Sequence, residues 1–205
     1  MSEEQVFTND WHANHADGWP RWMSRLPARK NFLEIGSYEG RSACWLIENG
    51  LDAGGTITCV DPWIGNGEHA APGVPLNDQL GRFVNNTVKS RLIRAHKGDQ
   101  VFVSIENQPS MTALAMMIYH EKFEHFDFIY IDGSHLARDV IGDAVMSWPL
   151  LKPGGIMIFD DFIWNIDDSP LQSPKISVDF FTTVFGLELN VIGMGGQVVV
   201  MKRAK

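Results

Sequence analysis

Short apolar runs recur along the 205-residue chain, and most stop at an acid or a glycine. Phe32-Leu33-Glu34-Ile35 leads into Gly36, and Ser42 to Asn49 then reads as a helix ending near Gly50. Thr56 to Val60 ends at Asp61-Pro62, Arg91 to His96 at Lys97-Gly98-Asp99, and Phe126 to Ile131 at Asp132-Gly133. Gly155 to Phe159 follows the turn Lys152-Pro153-Gly154-Gly155 and ends at Asp160-Asp161. Such runs, separated by helical stretches, predict βαβ units and a parallel sheet. The tail differs. Leu187 to Ile192 and Gln197 to Lys202 are parted only by Gly193-Met194-Gly195-Gly196, too little chain for a parallel crossover. One antiparallel strand is expected there.

The length suits one domain over 1–205, with residues 1–30 as an N-terminal cap and 31–202 as the core. Hydrophobic residues at 44% against 20% charged support a packed interior rather than disorder. The 25 acids against 17 lysines and arginines give −8, which argues against a surface built for phosphate backbones. Cys44 and Cys59 lack disulfide or zinc spacing and read as small buried residues in a reducing compartment. The start, MSEEQVFTND, has no apolar core and does not read as a secretory signal. No apolar run approaches the ~20 residues that span a bilayer. The expectation is a cytoplasmic protein with no membrane or nucleic-acid partner. Trp11, Trp19 and Trp22 suit either a covering helix or an oligomer contact, which keeps a homo-oligomer open.

Two segments interrupt the alternation. Residues 62–80, rich in Gly, Pro and Asn, precede a helix expected over about 77–89, and residues 162–175 follow the fifth strand. Loops at the carboxyl ends of parallel strands are where open α/β sheets bind ligands. The most informative stretch is Glu34-x-Gly36-Ser37-x-x-Gly40-x-Ser42, an acid inside an apolar strand followed by a glycine turn opening a helix. A buried carboxylate is costly unless something pairs with it. Glycines there allow positive φ and close approach of backbone to a ligand. Asp61 stands 21 residues past Gly40, where a carboxylate can accept ribose hydroxyls.

This pattern resembles the class I S-adenosylmethionine-dependent methyltransferases. The likeness rests on Glu34-x-Gly36-x-x-x-Gly40, Asp61, Gly98-Asp99, Asp132, the Lys152-Pro153-Gly154-Gly155 turn and the closing hairpin, over residues 31–202. It implies an α/β, Rossmann-like three-layer sandwich around a mostly parallel seven-stranded sheet with a C-terminal antiparallel hairpin strand. It also implies that Glu34, Gly36, Ser37, Gly40, Ser42, Asp61, Gly98, Asp99, Gln100 and Asp132 surround the cofactor. Asp61 would hold the ribose, and Asp99 with Gln100 the adenine amine. A dehydrogenase would use Gly-x-Gly-x-x-Gly to cradle a pyrophosphate, and residues 36–41 do not supply it.

Methyl transfer needs a nucleophile aligned behind the methyl group and stripped of its proton. Asp132-Gly133-Ser134-His135 and Asp160-Asp161-Phe162 end strands expected to be neighbours, so three carboxylates converge with no cation near them in sequence. A hard divalent cation, Mg²⁺ first, answers that repulsion. The strings are similar to those of metal-dependent O-methyltransferases acting on catechols and macrolide sugars. That likeness implies metal binding by Asp132, Asp160 and Asp161, a general base at His135 and a small-molecule hydroxyl as acceptor. Trp63, Phe162 and Trp164 are candidates for lining the acceptor pocket. The alternatives are a metal-independent methyltransferase, a nucleotide-dependent oxidoreductase of NAD type and a cofactor-binding protein without turnover.

Overall fold

Phe126–Ile131 (β4) is buried at every position, the mark of a central parallel strand covered on both faces. In the computed structural model, which describes residues 4–9, 15–64, 78–164 and 169–204, six further strands flank it. They are Asn31–Ile35 (β1), Thr56–Val60 (β2), Phe102–Glu106 (β3), Leu151–Phe159 (β5), Leu189–Met194 (β6) and Val198–Lys202 (β7). The helices are Trp19–Met23 (α1), Arg41–Trp45 (α2), Gln79–His96 (α3), Ser110–Tyr119 (α4), Ala137–Ser147 (α5) and Pro174–Val184 (α6). The α2 helix runs on through a wider turn, Leu46–Gly50, closed by the Leu51 N–H on the Leu46 carbonyl.

The sheet order is β3-β2-β1-β4-β5-β7-β6. The pairs from β3 to β5 are parallel, while β7 lies antiparallel between β5 and β6. The short glycine link therefore makes the hairpin expected of it. One core layer joins β-strand side chains to Leu114, Val140 and Phe181 of α4, α5 and α6. The other joins them to Trp19, Leu46 and Phe83. Trp19 is fully buried, edge-on to Trp45, Phe128 and Tyr130, so this tryptophan belongs to a covering helix. Trp11 lies outside the described residues. Among the described residues no helix is long and apolar enough to cross a membrane.

One strand differs from its expected place. Residues 91–96 are the last turns of α3, and the third strand is 102–106. Arg94 explains the difference: buried on the inner face of α3, it donates to the carbonyls of Ile47 and Leu51 and pairs with Asp99. The helix carries Arg94 to these partners, and the apolar neighbours Leu92, Ile93 and Ala95 fit helical spacing as well as strand spacing.

Candidate active site

The turn after β1 is shaped from below. Glu34 is fully buried, and its two oxygens accept hydrogen bonds from the Ser37 and Ser42 hydroxyls, each at 2.6 Å. Removal from water pushes its acid up to about 7; the two serines oppose that shift and Asp61 adds to it. Gly36 has φ +86°, and a β-carbon there would stand 2.0 Å from the Asp132 carbonyl oxygen. Gly40, at φ +83°, opens α2 against the Phe83 ring. The glycine spacing thus brings the β1 and β4 loops into backbone contact.

Asp61 ties the next loop to this turn. Its Oδ2 accepts from the Ser37 and Tyr38 N–H groups at 3.0 and 2.8 Å, and its Oδ1 from the Trp63 N–H at 2.6 Å. The Trp63 indole donates to the Tyr38 carbonyl at 2.7 Å and packs on Phe83. Tyr38, Trp63 and Asp161 all have positive φ, a costly conformation for side-chain-bearing residues that tends to gather at functional sites.

Above these loops lies a cavity of about 340 Å³, within the range of small-molecule sites. Gly36, Asp61 and Asp132, three of the residues that the resemblance puts around the cofactor, line it, whereas Glu34, Ser37, Gly40 and Ser42 do not. Gln79, Ser110 and Asp143 also line it, although their sequence context carries no motif. The expectation for Gly98, Asp99 and Gln100 is corrected. They precede the true third strand, and the Gln100 carbonyl accepts from Gly54 at the amino edge of the sheet. Asp99 is spent on Arg94.

Beside the cavity, Asp132, His135 and Asp161 each bring one ligand atom within 4.8 Å of the others. His135 Nε2 is 2.7 Å from Asp161 Oδ2, and its ring stacks on Trp164 at 5.3 Å. Asp160 points elsewhere. On an extended strand side chains alternate faces, so Asp160 follows Ile158 into the layer of Trp19. Its Oδ1 accepts from the Asp161 N–H at 2.7 Å, and its Oδ2 from Gln197 Nε2 at 3.0 Å and from the Tyr130 hydroxyl. Gln197 in turn accepts from the Trp19 indole at 3.0 Å. Tyr130 Oη also lies 3.0 Å from Asp132 Oδ2, so Asp160 joins the cluster through Tyr130. This differs from the expected set of three converging carboxylates. Nothing in the local sequence of Tyr130 or Gln197 signals their part in it.

Burial first, then the charges of Asp160 and Asp161, push the Asp132 acid well above its ordinary range. Burial also pushes the Tyr130 phenol up, so it is a neutral donor with one proton for two carboxylates. Phe162 sits in the core with Lys175 over its ring, while Trp164 is half exposed beside His135.

A family model described as a methyltransferase domain matches residues 33–162, from β1 through the end of β5. Among solved structures, the O-methyltransferase from Bacillus cereus, in complex with SAH, is 21% identical. There 86% of this chain covers 74% of that one, with a TM-score of 0.58. The TDP-rhamnose 3'-O-methyltransferase of calicheamicin biosynthesis is 17% identical, 91% of this chain covering 77% of that one at a TM-score of 0.56. MycE, a methyltransferase of the mycinamycin pathway solved with Mg and SAH, is 17% identical. Against MycE 97% of this chain covers 51% of that one, also at 0.56. No curated protein matches the sequence. The structures share the fold, and the family match takes in Gly36, Asp61, Asp132, His135 and both carboxylates after β5. The chain belongs to the methyltransferase-domain family and is a class I S-adenosylmethionine-dependent methyltransferase.

Proposed function

We propose that the chain methylates a hydroxyl oxygen of a small molecule, with His135 as general base and a divalent cation at the adjoining carboxylates. The observation that carries this reading is the meeting of Asp132, His135 and Asp161 at the rim of the cavity lined by Gly36 and Asp61. The donors fit a cation. Two carboxylate oxygens suit Mg²⁺ or Mn²⁺, with the His135 imidazole kept as the base and not as a ligand. Asp132 and Asp161 would hold it, with Asp160 as the carboxylate behind them, and it would lower the acceptor hydroxyl's pKa.

The chain's own residues account for the remaining work. Tyr130 keeps Asp132 and Asp160 in register, and Asp161 orients the His135 ring. Imidazole is the side chain whose ordinary charge change falls closest to neutrality, which makes a histidine the natural proton acceptor at this place. Trp164 stacks on that ring with the centroids 5.3 Å apart, which limits the directions in which it can turn. That MycE was solved with Mg and SAH, and the calicheamicin enzyme acts on a sugar hydroxyl, supports a polar hydroxyl acceptor here. Sugars, phenols and polyketides all qualify.

The 2.7 Å contact of His135 with Asp161 favours a second reading, a metal-free pair in which Asp161 holds the imidazole as the base. Turnover of a hydroxylated acceptor panel, with and without excess chelator, separates the two. Loss of activity in chelator and its return with Mg²⁺ or Mn²⁺ supports the metal; full activity in chelator removes it. Failure to bind SAH would sink both.

A further inference from the structure

The turn that carries Gly36 and Tyr38 to the cavity wall is held from two sides. Tyr38 at φ +45° and Gly40 at φ +83° are both left-handed, with Glu39 between them. A tyrosine keeps such a conformation only where its surroundings fix it. Asp61 fixes the turn from the sheet edge, through the Ser37 and Tyr38 N–H groups. On the other side stands Glu39, 1% exposed. Its carboxylate accepts from Arg82 Nε of α3 at 2.6 Å, and from the Thr8 N–H and hydroxyl at 2.7 and 2.8 Å.

Thr8 belongs to a strap, residues 4–9, laid across α3 and α2. Arg82, Asn86 and Ser90 follow one another at four-residue spacing, hence along one face of α3. Arg82 meets Glu39 beside Thr8, Asn86 meets Val6 and Ser90 meets Gln5, so the strap runs opposite to the helix. Asn86 accepts from the Val6 N–H at 2.8 Å and donates to the carbonyls of Val6 and Glu39 at 2.9 and 3.0 Å. Gln5 Nε2 donates to the Ser90 hydroxyl and to Glu48 of α2's last turn, at 2.6 and 2.7 Å. Arg41, just past Gly40, donates to the Asn9 carbonyl at 2.8 Å and lies over the Phe7 ring. The strap therefore grips the turn on both flanks of Gly40. Its hold is polar, since Val6 is 57% exposed and Phe7 only half-buried. Hydrogen bonds that water can replace add little net stability each, so such a segment opens locally at small cost.

We infer that strap docking and cofactor binding are coupled through Glu39. Docking of residues 4–9 completes the turn that lines the cavity, and the bound cofactor, by fixing that turn, holds the strap down. Glu39 does not line the cavity; it is a positioning residue that acts through Tyr38 and Gly36. The inference rests on the reading of this cavity as the cofactor site. Such coupling is reciprocal: the factor by which the docked strap raises cofactor affinity is the factor by which the cofactor favours docking.

The test is amide hydrogen exchange on the full chain with and without saturating SAH, beside calorimetry of SAH binding. Exchange at Val6 and Thr8, whose N–H groups make the strap's bonds, should slow by about fivefold or more with SAH, the low end of ordinary coupling. The Arg203 amide, bonded to the Glu188 carbonyl beyond the β6–β7 hairpin, should not respond. Glu39→Gln keeps the side chain's size but gives up an accepting oxygen. It should weaken SAH binding by about the same factor and abolish the response at Thr8. Gln5→Ala loosens the strap at the end away from the turn, and should weaken SAH binding by about twofold or more. A strap that only stabilises the fold would lower Tm in both variants and leave SAH affinity unchanged, which overturns the proposal. So does exchange at Thr8 that ignores bound SAH in the unmodified protein, a result that needs no variant to fold. An unmodified protein that binds no SAH would instead remove the cofactor reading of the cavity, and the coupling with it.

Discussion

No side chain fits between Gly36 and Asp132, because a β-carbon on Gly36 would stand 2.0 Å from the Asp132 carbonyl oxygen and 2.6 Å from the Gly133 Cα. The obstacle is backbone on both sides and φ is +86°, so nothing flexible can give way. Gly36→Ala should cost about 3 kcal/mol or more, a fall in Tm of about 6 °C or beyond, and SAH binding should go with it. Gly40→Ala, at φ +83°, carries a like backbone strain but meets the Phe83 side chain, at 2.8 Å, and no backbone atom. It should cost less in a parallel thermal melt. Equal losses would mean that the β1–β4 loop contact is not what Gly36 protects.

Glu34 sets a pH dependence of stability. Its acid is raised from 4.5 to about 7, so between those values the folded chain holds a proton that the unfolded chain has released. The contribution is whole below about 4.5 and is lost as pH rises through about 7. A shift of that size corresponds to about 3 kcal/mol. Asp143, also raised to about 7, adds a term of the same sign. Tm should therefore fall between pH 5 and 8. Glu34→Gln, which keeps partners for Ser37 and Ser42, should flatten part of that fall and exceed the parent at pH 8. An unchanged slope would show that Glu34 is ionised in the folded chain throughout.

The same residues show what the sequence could and could not reveal. Glu34 betrays itself because an acid in an apolar strand is costly without a partner. Gly36 and Asp61 do so because a glycine and a carboxylate at the carboxyl ends of parallel strands stand where such sheets bind ligands. The third strand hides because 91–96 has enough apolar residues to pass for a strand, while β3 is an edge strand with Phe102 and Ile105 exposed. That displacement carried Asp99 to the wrong edge of the sheet. Tyr130, Gln197 and Asp143 are brought to the site by topology alone. Each sits in an ordinary strand, hairpin or helix pattern, and only the folded chain shows which carboxylate it faces or which cavity it lines.

Tyr130 gives a prediction for the carboxylates. Its hydroxyl bridges Asp160 and Asp132, and its ring is fully buried against Trp19. Tyr130→Phe keeps the ring and removes the bridge, leaving two carboxylates to repel each other. On the metal reading, affinity for Mn²⁺ should drop by about tenfold or more, as when groups behind metal ligands are lost. SAH affinity should hardly change. Titration by electron paramagnetic resonance measures the first and calorimetry the second. Unaltered Mn²⁺ binding would make the bridge a packing feature only.

His135 is the sharper case, because its neighbour Asp161 has a part in both readings. His135→Ala should lower kcat by about 10²–10⁴-fold if the imidazole takes the acceptor's proton, with SAH binding intact. The profile of kcat against pH should lose its acidic limb in that variant. Asp161→Ala then separates the two readings. If Asp161 acts only by holding the imidazole, the double variant should be no slower than His135→Ala, since groups acting as one unit are not additive. If Asp161 also supports a cation, the double variant should lose further rate, and Mn²⁺ affinity should fall in Asp161→Ala itself. A His135→Ala enzyme at full speed would remove the histidine from the chemistry and leave its 2.7 Å bond to Asp161 as a loop contact.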